Sequence, residues 1–196
     1  YDIHERLQID KGQVYVTDRN NLFQAILDYG MPDLALDRNA ISCFNRLYKK
    51  CEIIALDYRD SILAVELSNG VKIYMQDILS YCPVKNLGQK AEGVFNQHWN
   101  TDGLFELPYY VAEQAKVLEK LTVSKVLFFN NHFCQTDQHQ VHYPYIDCKP
   151  FAVKVMYKHS KVLFDNASRI SVNDKELCFI NEDNTLRGII GIIQQD

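Results

Sequence analysis

The sequence predicts an α+β domain in which short N-terminal helices pack on a bent, mostly antiparallel sheet, and a C-terminal β-meander extends that sheet. Three observations predict it. Apolar residues recur at helical spacing before residue 50; runs of β-forming residues broken by turn dipeptides dominate after it; and twelve Tyr and ten Phe against eight Gly and five Pro favour a β-rich core.

Residues 1–12 read as a polar lead-in, with Lys11-Gly12 as a turn into a first strand at Val14–Val16. Leu22, Phe23, Ile26 and Leu27 follow at helical spacing, with Asp18 or Asn20 as cap and Gly30 as stop. Asp37 or Asn39 caps a second helix, whose stripe is Ile41, Phe44, Leu47 and Tyr48 and whose end carries Arg46, Lys49 and Lys50. Strands are expected at 52–57, 61–67 and 71–75, the last two joined by Asn69-Gly70 in a type I′ turn. A short helical piece spans 76–81. Residues 84–108 read as a long loop with short embedded structure, which in a compact domain points to function or to a wrong assignment. A helix follows at 108–120 with Val111, Ala115 and Leu118 on one side, then an apolar strand at 123–129. Residues 130–149 are polar and rich in His; strands are expected at 151–157, 161–164, 168–172, 176–181 and 186–193. No linker divides residues 1–196, so a single domain is expected, with the meander of residues 159–196 as an optional appended unit.

Composition narrows the function. A formal charge of −4 excludes bulk electrostatic capture of nucleic acid but leaves a local basic patch open. The chain has no apolar run long enough for a membrane span and no secretory signature at its start, and six Cys without a C-x-x-C pair fit a reduced, cytoplasmic setting, while their even count leaves disulfides open. No G-x-S-x-G elbow, H-E-x-x-H helix or phosphate loop occurs. His132, Cys134, His139, His142 and Cys148 fall within seventeen residues and are the candidate zinc ligands. Tyr109, Tyr110, Phe128, Phe129, Phe133, Tyr143 and Tyr145 crowd around them, and the Tyr143-Pro144-Tyr145 tip is the expected exposed contact.

The order of elements resembles that of the DarT-like DNA ADP-ribosyltransferase toxins. The resemblance rests on the opening 14–31, the basic stretch 40–50, strands over 52–69, His98-Trp99-Asn100, and Glu113-Gln114-Ala115-Lys116-Val117-Leu118 before a strand. It implies an NAD pocket from Tyr15, Thr17, Asn21 and Arg46, with Arg46 on the pyrophosphate. It places the catalytic Glu on Lys116, where an ammonium would repel the developing oxocarbenium, so Glu113 and Glu119 become the candidate catalytic carboxylates. Local structure gives each residue another role: Tyr15 in the core, Asn21 as a cap, Arg46 solvated. Two readings therefore stand: an interaction or structural module of a larger assembly, with another protein as partner, and an ADP-ribosyltransferase-like domain, active or lapsed, binding NAD and a nucleic-acid strand.

Overall fold

β-structure begins earlier in the chain than the hydrophobic spacing implied. The computed structural model describes residues 6–18, 21–27, 30–48, 51–82, 86–99, 103–121 and 125–193, with the side chains of Tyr48 and Glu119 outside the description. It is a mixed α/β structure with antiparallel sheets and, among the described residues, four α-helices. The chain divides into two compact units, residues 1–93 and 94–196.

In the first unit the polar lead-in is itself a strand. β1 (Arg6–Asp10) pairs with β2 (Gln13–Thr17) across a two-residue turn in which Lys11 (φ 51°) and Gly12 (φ 76°) are both left-handed, the backbone a type I′ turn requires. The expected helix at 22–27 is instead β3 (Asn21–Ile26), antiparallel to β2 from Gln13↔Ile26 to Thr17↔Leu22. Pairing overrode the spacing. β4 (Leu34–Asp37) lies on the other side of β1, giving the order β4-β1-β2-β3.

β4 runs directly into α1 (Arg38–Tyr48), where Asp37 is the cap: its Oδ1 accepts the Ala40 N–H at 2.8 Å. Ile41 and Phe44 of α1 pack on a core of Ile9, Leu34, Leu36, Val65, Leu67 and Ile73. The three strands expected after residue 51 form: β5 (Ile53–Arg59), β6 (Ile62–Leu67) and β7 (Lys72–Gln76), in the order β5-β6-β7. The type I′ turn joins β5 to β6, at Asp60 and Ser61 (φ 51° and 62°). At Asn69-Gly70 only Gly70 is left-handed (φ 81°), and its N–H donates to the Leu67 carbonyl at 2.8 Å, which makes a three-residue loop with a bulge instead of the expected type I′ turn. A 3₁₀ turn at Leu79–Tyr81 follows.

The expected long loop contains α2 (Leu87–His98), which begins in the first unit and ends in the second, and β8 (Phe105–Glu106). Leu87, Ala91 and Phe95 are its buried stripe. At its first turn Gly88 leaves room for the Asp10 carboxylate, which a methyl group there would displace.

The second unit repeats one pattern twice. α3 (Tyr109–Leu121) follows β8 and precedes β9 (Val126–Asn130), β10 (Phe133–Gln135) and β11 (Gln140–His142). β12 (Ala152–Met156) runs into α4 (Tyr157–Asn166), then β13 (Arg169–Val172), β14 (Glu176–Ile180) and β15 (Leu186–Gly191). The opening strands are exchanged: β12 completes β11-β10-β9-β12, and β8 completes β15-β14-β13-β8. The meander of β13, β14 and β15 was expected, but α4 replaces the strand expected at 161–164.

Candidate functional site

Within each unit, helix packing dictates which residues face outward. In α3, Val111, Ala115 and Leu118 are buried, and in α4 Ser160, Leu163 and Phe164 are, so the two helices meet on small and apolar faces. That leaves Lys120, Lys158 and Lys161 exposed, with Lys116 half-exposed and 3.3 Å from Asp165 across the helix pair. On α1 the burial of Ile41 and Phe44 turns Arg38 and Arg46 outward, and Lys90 of α2 is exposed. The four helices together hold seven Lys and Arg against four Asp and Glu, a positive balance in a chain whose formal charge is −4. Sequence reading missed Lys158 and Lys161 because 161–164 read as strand; Tyr157, Ser160, Leu163 and Phe164 at helical spacing carried the signal.

Two cavities test the expected catalytic and cofactor residues. One, of about 700 Å³ in the second unit, is lined by Glu106, Tyr109, Glu113, Lys116, Phe164 and Arg169 among others. Glu113 therefore shares a wall with Lys116, the cation paired with Asp165; the Glu119 side chain lies outside the described residues. The other, of about 610 Å³ in the first unit, is bounded by Asp10, Lys11, Gln13, Tyr15, Gln89 and Glu92. Tyr15 is buried there, its hydroxyl donating to Gln13 Oε1, and Gln24 Nε2 donates to Glu92 at 2.8 Å. Two carboxylates against one ammonium do not favour a pyrophosphate.

The remaining expected NAD residues hold structure. The Thr17 hydroxyl donates to the Asn21 carbonyl at 3.0 Å, and Asn21 N–H donates to Asp18 Oδ1 at 3.1 Å, closing the β2–β3 turn. Arg46 stands exposed in the last turn of α1.

The five candidate zinc ligands are not gathered: among the described residues no group of three or more His, Cys, Asp or Glu is placed to hold a metal ion. Strand alternation separates them. Cys134 points into the core while its neighbours on β10 face outward, and burial pushes its thiol up to about 11, away from the thiolate a zinc site uses. His142 pairs in register with Phe133, and His132 stacks on Tyr145 with ring centroids 6.2 Å apart. His139 offers its carbonyl to the Thr136 N–H at 2.8 Å. Cys148 lies 3.3 Å from Asn131 Nδ2, and burial raises its thiol too.

Asn131 organises this segment. Buried, it donates through Nδ2 to the Ile146 carbonyl at 3.0 Å and accepts the Phe151 N–H at 2.8 Å, while its own carbonyl accepts the Ile146 N–H at 2.8 Å. The Tyr143 hydroxyl is shared between the carbonyls of Asn130 (2.6 Å) and Phe133 (3.0 Å), and burial raises its pKa. Of the aromatic tip, Tyr143 is therefore core and Tyr145 exposed. All six cysteines are free thiols, and no helix among the described residues is long and apolar enough to cross a membrane.

Comparison with known proteins replaces the transferase resemblance. No family model matches the sequence, and no curated protein does. Among solved structures, a Helicobacter pylori beta clamp bound to a DNA ligase peptide is similar with a TM-score of 0.62 at 13% identity, over 98% of this chain and 57% of that one. A putative DNA polymerase III beta subunit from Eubacterium rectale gives 0.64 at 9% identity, over 97% and 57%. A chain of the PCNA2–PCNA3 complex from Sulfolobus tokodaii gives 0.60 at 7% identity, over 96% and 90%. The chain thus spans little more than half the length of the two bacterial proteins. The structural neighbours are DNA sliding clamps and not DarT-like ADP-ribosyltransferases, which overturns the resemblance and removes the ground for the NAD reading. What the residues build is a mixed α/β fold similar to that of the DNA sliding clamps.

Proposed function

We propose that this chain is an interaction module of a DNA-bound assembly, in which helices of each unit contact duplex DNA and the sheets carry partner proteins. The observation that supports it is the cationic balance of the four helices on a clamp fold, set within an acidic chain. Lysines and arginines of this kind neutralise phosphates without reading bases, and so bind any duplex with an affinity that falls as salt rises.

The test is fluorescence anisotropy with a labelled duplex across salt concentrations. Binding that weakens linearly in log salt is expected, with the slope reduced by about one for each of Lys158→Ala and Lys161→Ala. Lys72→Ala, on a sheet strand, should leave it unchanged. No binding at about 50 mM salt, or equal effects of all three substitutions, would sink the proposal.

A further inference from the structure

The outer face of the sheet β11-β10-β9-β12 carries rings that the core does not use. Strand alternation turns Leu127, Phe129 and Cys134 inward, where all three are buried. The opposite face holds Phe128 on β9, Phe133 on β10 and His142 on β11, the first two half-buried and the third exposed. These rings form a connected run. Phe133 lies with its centroid 5.6 Å from that of Phe128, 5.6 Å from His142 and 5.3 Å from His132. His132 stacks in turn on Tyr145, which is 56% exposed.

Register sets polar groups beside the rings. Lys154, Phe128, Gln135 and Gln140 stand in one row across β12, β9, β10 and β11, so an ammonium flanks the first ring on one side and two amides on the other. Phe133 and His142 pair in the next row. A cavity of about 610 Å³ opens on this face, lined by Phe128, Phe133, Lys154, Gln135 and Asp137 among others. Asp137 lies in the β10–β11 turn, and the four strands themselves contain no Asp or Glu, in a chain whose formal charge is −4.

We infer that this sheet face is a stacking platform for single-stranded DNA, with bases on Phe128 and Phe133, a phosphate on Lys154, and Gln135 and Gln140 at base edges. Aromatic rings raised from adjacent strands suit unpaired bases, because each ring offers a π-face that any base can cover. Composition favours a nucleic-acid strand over a protein partner. Imidazole, amide and ammonium groups interleave with the rings, whereas a protein-binding patch is built on a contiguous apolar centre. A duplex has no unstacked base to offer, so the platform is separate from the helix lysines and does not rest on the duplex contact proposed above.

Fluorescence anisotropy of the 196-residue chain with a labelled oligothymidylate of about twelve nucleotides tests this. The oligothymidylate should bind, and an abasic strand of equal length should bind at least about tenfold more weakly, since it keeps the phosphates and lacks the bases. Phe133→Ala should weaken oligothymidylate binding about tenfold and leave duplex binding unchanged. Phe133→Tyr should retain it, and Phe133→Leu, apolar but without a π-face, should behave as Phe133→Ala does. Ultraviolet cross-linking of the bound strand should mark Phe128, Phe133 or Tyr145. Lys158→Ala and Lys161→Ala should leave the preference for thymidylate over the abasic strand intact, so this proposal and the duplex proposal fail separately. No oligothymidylate binding at about 50 mM salt, equal binding of the abasic strand, or full binding by Phe133→Leu overturns the inference. So does a dimeric chain that Phe133→Ala dissociates, because the face is then covered by a second copy.

Discussion

Replacing Asp77 with Ala should cost about 3–5 kcal/mol, a large share of the roughly 5–15 kcal/mol that holds an ordinary domain. The side chain is buried at the end of β7 and accepts three hydrogen bonds that join separate pieces of the first unit: Ala35 N–H on β4 at 2.8 Å, Leu79 N–H of the 3₁₀ turn at 2.8 Å, and the Tyr58 hydroxyl on β5 at 2.6 Å. Ala35 is fully buried, so its N–H loses a partner that water cannot replace, at about 1–3 kcal/mol. Tyr58 and Leu79 are only part-buried and recover some solvation, which holds their joint share to about 2 kcal/mol. Asp77→Asn keeps one acceptor oxygen and should cost about half as much. Urea unfolding of the variants, closed into a cycle with Tyr58→Phe, gives total and coupling. A loss below about 1 kcal/mol for Asp77→Ala would refute the reasoning, because it would mean the Ala35 amide has another partner.

Three further outcomes follow from the same structure. Asn131→Ala should destabilise the second unit by about 2–4 kcal/mol, since it strands the Phe151 N–H and the Ile146 carbonyl, whereas EDTA should leave the melting temperature unchanged; a drop with EDTA would revive a metal site. Burial pushes the Cys134 and Cys178 thiols up to about 11 and about 12, above the ordinary 9.0, so their protonated forms stabilise the fold fully below about pH 9 and that contribution is lost as pH rises. Unfolding followed from pH 8 to 11 should show the loss, and Cys134→Ala should flatten it; a flat profile in the parent chain would contradict the burial. Lys116→Ala should cost under about 1 kcal/mol, because its pair with Asp165 is solvated on both sides, and a larger loss in thermal melts would mean the pair is more enclosed than its exposure indicates.

The sequence disclosed elements wherever local chemistry and tertiary pairing agreed. Asp37 capping α1, the strands around residue 70 and the three C-terminal strands all follow from turn and cap residues that act within a few positions. Asn21–Ile26 failed because its crowded apolar residues satisfy both the helical and the strand period, and the β2 edge decided between them. α2 was hidden by Gly88 and Gly93, each about 1 kcal/mol poorer than Ala in a helix, though Leu87, Ala91 and Phe95 stood at i, i+4 and i+8 throughout. The cations of α4 were illegible for a related cause. Lys158 and Lys161 are ordinary surface residues until α4 is known to be a helix. The exchange of opening strands leaves no trace in local pattern, since it joins residues such as Phe105 and Ile170 that are far apart in the chain.

Trp99 is the chain's single tryptophan, and it sits at the end of α2 with its ring edge-on to Phe95 at 6.0 Å. The Arg187 guanidinium lies 4.0 Å above the Phe95 ring and 6.0 Å from that of Trp99, a cation-π stack that ties β15 to the helix end. All three residues belong to the second unit. Indole emission is therefore an optical reporter for one half of the molecule only. Excited near 295 nm, the protein reports the melting of the second unit, while circular dichroism sums both. Coincident curves mean the halves melt as one cooperative body, and separated curves give each its own midpoint without cutting the chain.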